Sequence, residues 1–162
     1  MVEAGGRGRH RVPRPAGRGL ARLAALLVPH RILYVEDDDA NYRLVERALA
    51  VTGRYRVERA ATAAEALERI AAHPYDLVLV DLDLPDRSGL ELGRSLRDDP
   101  ATSKIPRIAI SASVMKQEQR HAAEAGFAAF IAKPFEIAHL RRTVAAALDA
   151  TPPAGPAPDG SA

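Results

Sequence analysis

Glu36, Asp37, Asp81, Ser111 and Lys133 are the residues of this 162-residue chain whose types and spacing point to shared chemistry. Each follows a short apolar run: residues 32–35 before the two acids, 77–80 before Asp81, 105–110 before Ser111, and 127–132 before Lys133. An ionisable side chain where a buried strand meets its loop is costly unless something uses it. Three carboxylates brought together repel, and they do not all stay ionised without a cation. A hard divalent ion with oxygen ligands, Mg²⁺ foremost, resolves that conflict. An ammonium and a hydroxyl beside such an ion suit a phosphoryl group, whose oxygens need positive charge and donors. Asp81, at the end of the most apolar run, is then the natural nucleophile, because carboxylates form aspartyl phosphates.

These residues share one place only if the runs that carry them are strands of one parallel sheet. Residues 77–80, Leu-Val-Leu-Val, read as a strand buried on both faces, and residues 32–35 as another. Residues 55–60 alternate like a half-exposed edge strand. Helical spacing fills the gaps. Ala40, Leu44, Val45, Ala48 and Leu49 form one inward face, stopped by Gly53. Ala63, Ala66, Leu67 and Ile70 form a second, opened by the capping box Thr62–Glu65. Ser88 and Glu91 open a third helix, from Gly89 to about Arg97, which stops before Pro100. A fourth covers 114–125 with Gly126 as its stop, and a fifth runs from Glu136 to about Ala150 with Ile137, Leu140, Val144 and Leu148 inward. Five strands alternating with five helices, joined by short right-handed crossovers, make a doubly wound parallel sheet. In such a sheet the carboxyl ends of the strands lie on one edge, where ligands bind.

Composition narrows the function. The chain has no cysteine, so neither a disulfide framework nor thiolate chemistry is available. Its five histidines are scattered without ligand spacing. The formal charge of +2 conceals an asymmetry: residues 1–31 hold seven arginines and one glutamate, a balance of +6, which leaves −4 on the rest. The globular part is therefore acidic, which argues against nucleic-acid binding by charge. Residues 1–29 are an Arg-, Gly- and Pro-rich leader without a sustained hydrophobic period, and are expected to be disordered. Residues 20–28 loosely imitate a targeting peptide, but the apolar stretch is short, Arg22 interrupts it, and no cleavage site follows. Residues 151–162 are a Pro-rich tail, also expected to be disordered. A start at Val28 would dispense with the basic arm, so residues 1–27 are expected not to belong to the working protein.

Read together, the strand ending Val35-Glu36-Asp37, Asp81 with Pro85 and Gly89, Ser111-Ala112, and Lys133-Pro134-Phe135 resemble the receiver domain of bacterial two-component response regulators. The resemblance covers residues 30–150. Residues 32–44 and 111–126 look most like the single-domain regulators of cell-cycle and sporulation phosphorelays. It implies a flavodoxin-like fold with strand order 2-1-3-4-5. It also implies that Asp81 accepts a phosphoryl group from a histidine kinase or histidine phosphotransfer protein. Asp37 would then bind Mg²⁺ directly, Glu36 through water, and Asp81 and the Asp83 backbone carbonyl would complete the protein ligands. Ser111 and Lys133 would each hold a phosphoryl oxygen. Phe130 stands where relatives carry a switching aromatic, and the Lys133–Pro134 bond is usually cis in them. With no DNA-binding domain and no membrane span in the sequence, output would pass to a downstream protein target, from a cytoplasmic monomer or weak homodimer.

Plainer readings stand beside these. Asp38 and Asp39 are helix-capping or solvated acids, and Phe130 could serve only as core. Asp83 places a further carboxylate two residues after the acceptor, where it could repel or orient an attacking water. Asp81-Leu82-Asp83 after an apolar strand also looks like the nucleophile motif of haloacid-dehalogenase-type phosphatases. In those enzymes the motif lies on the first strand and an acidic pair follows late; here the pair comes first. A scaffold that works without phosphorylation is the third reading, disfavoured by the complete set of acceptor, acids, hydroxyl and lysine.

Overall fold

The structure, a computed structural model, describes Leu23 and residues 28–151. Nearly all of the leader and the tail, and with them the question of residues 1–27, lie outside the described residues. Elements alternate strictly: β1 (His30–Val35), α1 (Asp39–Ala50), β2 (Tyr55–Ala60), α2 (Ala63–Ala72), β3 (Leu77–Asp81), α3 (Gly89–Asp98), β4 (Arg107–Ser111), α4 (Lys116–Glu124), β5 (Ala129–Ala132) and α5 (Ile137–Asp149). The five strands pair in parallel in the order β2-β1-β3-β4-β5, as the sequence pattern and the resemblance implied. Successive residues of the central strands point to opposite faces, so each strand feeds two cores. Ile32, Tyr34, Leu77, Leu79, Ile108 and Ile110 pack with Val45, Leu49, Leu140 and Val144 of α1 and α5. Leu33, Val35, Val78, Val80 and Ala109 face Ala63, Ala66, Leu92, Leu96 and Ala122 of α2, α3 and α4.

Local chemistry sets the element ends. Asp38 caps α1, its Oδ1 accepting from the Asn41 amide at 2.8 Å. Thr62 caps α2 by accepting from the Glu65 amide, while Glu65 reaches back to the Ala61 amide. Asp86, from the loop after β3, also accepts from the Ala63 and Ala64 amides at 3.0 Å each. These two bonds hold its carboxyl below the usual carboxylate range. Ser88 caps α3 through the Leu90 amide.

Several boundaries and faces differ from the sequence reading. β4 begins at Arg107 rather than Ile105, because Pro106 offers the ladder only its carbonyl, taken by the Val78 amide. β5 begins at Ala129 rather than Phe127, whose amide closes the end of α4 on the Ala122 carbonyl. α4 begins at Lys116 rather than Val114, leaving Val114 and Met115 exposed. Ala40, Leu44 and Ile137, expected inward, are exposed. Leu44 lies off the stripe formed by Val45, Ala48 and Leu49, and Ile137 is the first residue of α5, one turn before its first buried residue, Leu140.

At Gly93 a Cβ would run into the ring of Phe127, which is itself in the core. α3 therefore lies as close to the Phe127 ring, between α4 and β5, as a bare backbone permits. Gly93→Ala should cost about 1–3 kcal/mol by overpacking, seen as a lower unfolding midpoint in urea. Phe127→Leu in the same chain should restore part of the loss.

Candidate functional site

Register assembles the site. Val35 pairs with Val80, so Glu36 and Asp81 emerge side by side at the ends of β1 and β3. Asp81 pairs with Ile110, which puts Ser111 one step beyond it on β4. Ser111 pairs with Ala132, and the next amide, that of Lys133, donates to the Ser111 carbonyl at 2.7 Å. The site thus straddles the point where the strand order reverses, between β1 and β3.

Glu36, Asp37 and Asp81 each offer a carboxylate oxygen, all within 4.8 Å of one another. Glu36 and Asp81 are 1% and 5% exposed, whereas Asp37 is open to solvent. Lys133 Nζ donates to Asp81 Oδ2 at 2.7 Å and to Glu36 Oε2 at 3.2 Å. Burial pulls the pKa of this ammonium down, but the hydrogen bond and charge of Asp81, and then Glu36, outweigh it and leave it raised. Lys133 is therefore charged throughout the physiological range. One ammonium still faces three carboxylates, and like charges near 4 Å repel by roughly 4 kcal/mol per pair at an effective dielectric near 20. The donor set is all hard oxygen, with one member exposed, and suits a small divalent cation.

The remaining expected residues take defined places. The Asp83 amide donates to Asp81 Oδ1 at 2.8 Å, which folds the loop back over that carboxylate. Gly89 permits that turn, because a Cβ there would strike the Asp81 carbonyl and the Leu82 Cα. Ser111 is fully buried, and its Oγ donates to Glu118 Oε2 at 3.2 Å rather than toward Asp81. Phe130 is half-buried against the face shared by α2, α3 and α4. The Lys133–Pro134 bond is cis.

Three contributors escaped the sequence reading. Tyr34, buried two residues before Glu36, donates its hydroxyl to Glu36 Oε2 at 2.9 Å. Glu36 also accepts from the Asp38 amide at 3.0 Å, so its carboxylate is well supplied with donors. Arg59, at the end of β2, binds the Glu36 carbonyl at 2.9 Å, the Asp37 carbonyl, and Asp39 Oδ1 at 3.1 Å, while lying over the Tyr42 ring. Its signal was an arginine closing an edge strand beside a run of acids. The third is Glu118, which the sequence presents only as an acid near the start of a helix.

Burial, and then the charge of Glu36, push the Tyr34 phenol far above its ordinary range. A raised pKa means its stabilisation is complete below about pH 10, where a free tyrosine ionises, and is lost as pH rises beyond that. Tyr34→Phe should cost about 1.5 kcal/mol at neutral pH, the worth of a hydrogen bond to a charged acceptor. The gap between variant and parent should shrink above about pH 10, where only the parent's unfolded chain gains by ionising Tyr34. Denaturant melts at pH 7 and pH 11 check both statements.

An open parallel sheet in this order, with acids at β1 and β3 and a lysine at β5, is the architecture of a signal receiver. The chain belongs to the response regulator receiver domain family, whose pattern matches residues 32–145. It is 33% identical over 117 residues to the polar-differentiation response regulator DivK of Brucella anthropi, a match spanning 72% of this chain and 94% of that one. The DivK of Brucella ovis is 34% identical over 113 residues, 70% of this chain and 91% of that one. Among solved structures, a putative response regulator from Chloroflexus aurantiacus superposes with a TM-score of 0.73 at 34% identity, covering 75% of this chain and 99% of the other. The receiver domain of a sensor histidine kinase from Pseudomonas aeruginosa, solved with magnesium in its active-site cleft, gives 0.69 at 29% identity, covering 76% and 100%. Among the described residues, no helix is long and apolar enough to cross a membrane.

Proposed function

We propose that this protein is a DivK-like response regulator that takes a phosphoryl group on Asp81 from a histidine kinase or histidine phosphotransfer protein. The observation that carries this reading is the Lys133 ammonium, 2.7 Å from Asp81 Oδ2 inside a three-carboxylate cluster. In the reaction a carboxylate oxygen of Asp81 attacks phosphorus, the bond from phosphorus to the donor nitrogen breaks, and the departing imidazole takes up a proton. An acyl phosphate remains on Asp81. Lys133 exchanges its bond to Asp81 for one to a phosphoryl oxygen, and Ser111 supplies a second donor.

Mg²⁺ would be held directly by Asp37 and Asp81, through water by Glu36, and by the Asp83 carbonyl. When bound it offsets the charge of the acids and of the incoming phosphoryl group. The bonds from Tyr34, Lys133 and the Asp38 amide to Glu36 favour an indirect role for that side chain.

The added charge, near −2, then draws Ser111 and Lys133 and shifts Phe130 with the surface of α4, β5 and α5. Output passes to a downstream protein, and the protein acts in the cytoplasm as a monomer or weak dimer. Residues 30–150 form the receiver, flanked by the leader and the tail. A small phosphodonor separates this reading from a phosphatase. Acetyl phosphate with Mg²⁺ should yield one phosphoryl group per chain, and p-nitrophenyl phosphate should not be turned over. Sustained turnover would overturn the reading.

A further inference from the structure

We infer that Glu118 is a positioning residue that holds the Ser111 hydroxyl away from the acceptor until a phosphoryl group competes for it. The inference rests on Asp81 being the phosphoacceptor and adds a partner that the reaction must displace. Ser111 Oγ donates to Glu118 Oε2 at 3.2 Å and accepts from the Ser113 amide at 3.1 Å. A hydroxyl has one proton. Ser111 can give it to Glu118 or to a phosphoryl oxygen on Asp81, but not to both.

The exchange reaches beyond one side chain. Ser113 Oγ accepts from the Met115 amide at 3.3 Å, and Met115 is the residue that precedes α4. A short relay therefore runs from the Ser111 hydroxyl through Ser113 to the start of α4, and Glu118 returns to that hydroxyl from the helix's first turn. Turning Ser111 toward Asp81 detaches the first turn from the sheet edge. The cost of that detachment is subtracted from the affinity for a phosphoryl group, so Glu118 sets how readily the protein enters its switched state.

An acid in the first turn of a helix is also favourable by itself. A double-mutant cycle separates the two roles. Beryllofluoride with Mg²⁺, a stand-in for the phosphoryl group, is titrated into the full chain by calorimetry. Glu118→Ala should bind it about five-fold tighter than the parent, the worth of one partly exposed hydrogen bond. Glu118→Gln, which keeps an acceptor oxygen, should lie between. Ser111→Ala should bind more weakly, and adding Glu118→Ala to it should change nothing further. The Ser113 amide donates to Ser111 Oγ, so its resonance should shift in Glu118→Ala as well as in Ser111→Ala.

An unchanged affinity in Glu118→Ala would overturn the inference. So would equal tightening with and without Ser111, since Glu118 would then act only as a nearby negative charge. Beryllofluoride binding by Asp81→Asn would instead overturn the phosphoacceptor reading.

Discussion

With acetyl phosphate and Mg²⁺, the protein gains one base-labile phosphoryl group, and the Asp81→Asn variant gains none above background. Asparagine keeps the shape of the side chain, and its oxygen can still accept one of the two bonds that Asp81 receives, from the Asp83 amide and from Lys133. A neutral amide oxygen does not form an acyl phosphate, so the chemistry is lost while the loop is kept. The substitution also removes one of three crowded carboxylates, so its melting temperature should equal or exceed that of the parent. Neither neighbouring acid can substitute. Glu36 is buried beneath donors from Tyr34, Lys133 and Asp38, and Asp37 is expected to be occupied by the cation. Peptide mapping after borohydride trapping locates the group. Label that persists in Asp81→Asn, or that maps to Glu36 or Asp37, would refute the assignment.

The second large effect divides the acids from the lysine. Asp37→Ala should weaken Mg²⁺ binding at least ten-fold, since even outer-shell partners of a metal are worth about 10–100-fold in affinity. Lys133→Ala should leave Mg²⁺ affinity within a few-fold of the parent. Its ammonium competes with the cation for Asp81 and Glu36, so removing it frees two oxygens as it removes one stabilising charge. Phosphorylation of Lys133→Ala should nevertheless fall sharply, because the phosphoryl oxygens lose a donor. Amide shifts in a Mg²⁺ titration measure the first property, and label incorporation the second. Equal loss of Mg²⁺ binding in both variants would show that Lys133 helps build the metal site.

The sequence exposed the parts of this protein whose physics is local. Short apolar runs such as Leu77-Val78-Leu79-Val80, with their β-branched residues, read as buried strands, and the acids and hydroxyls that follow them had to share one edge once the sheet was parallel. Caps were equally legible, because Thr62 and Ser88 each face an amide two or three residues away. What stayed hidden depends on contacts between distant elements. Leu44 satisfies a helical period yet faces solvent, since only the final packing of α1 on the sheet selects which apolar positions are covered. Arg59 and Asp86 bind backbone 22 and 23 residues away, and nothing in their own surroundings marks those targets. Ser111 was found as a residue type at the right strand end. Its engagement with Glu118, seven residues on, depends on where α4 begins, and the pattern placed that start two residues early.

Lys133 lies 52 residues after Asp81 and 97 after Glu36, just past β5, the last strand in the sequence. During synthesis on a ribosome, every carboxylate of the site exists well before the cation that sits among them. An emerging chain with β1 to β4 exposed has Asp81 but no lysine beside it, and its acids repel without relief. The site is completed only when β5 docks at the edge of β4, a step that also closes the core beneath α5. Completion of the site and completion of folding thus arrive together, so on the proposed reading a half-made chain could not yet be switched on.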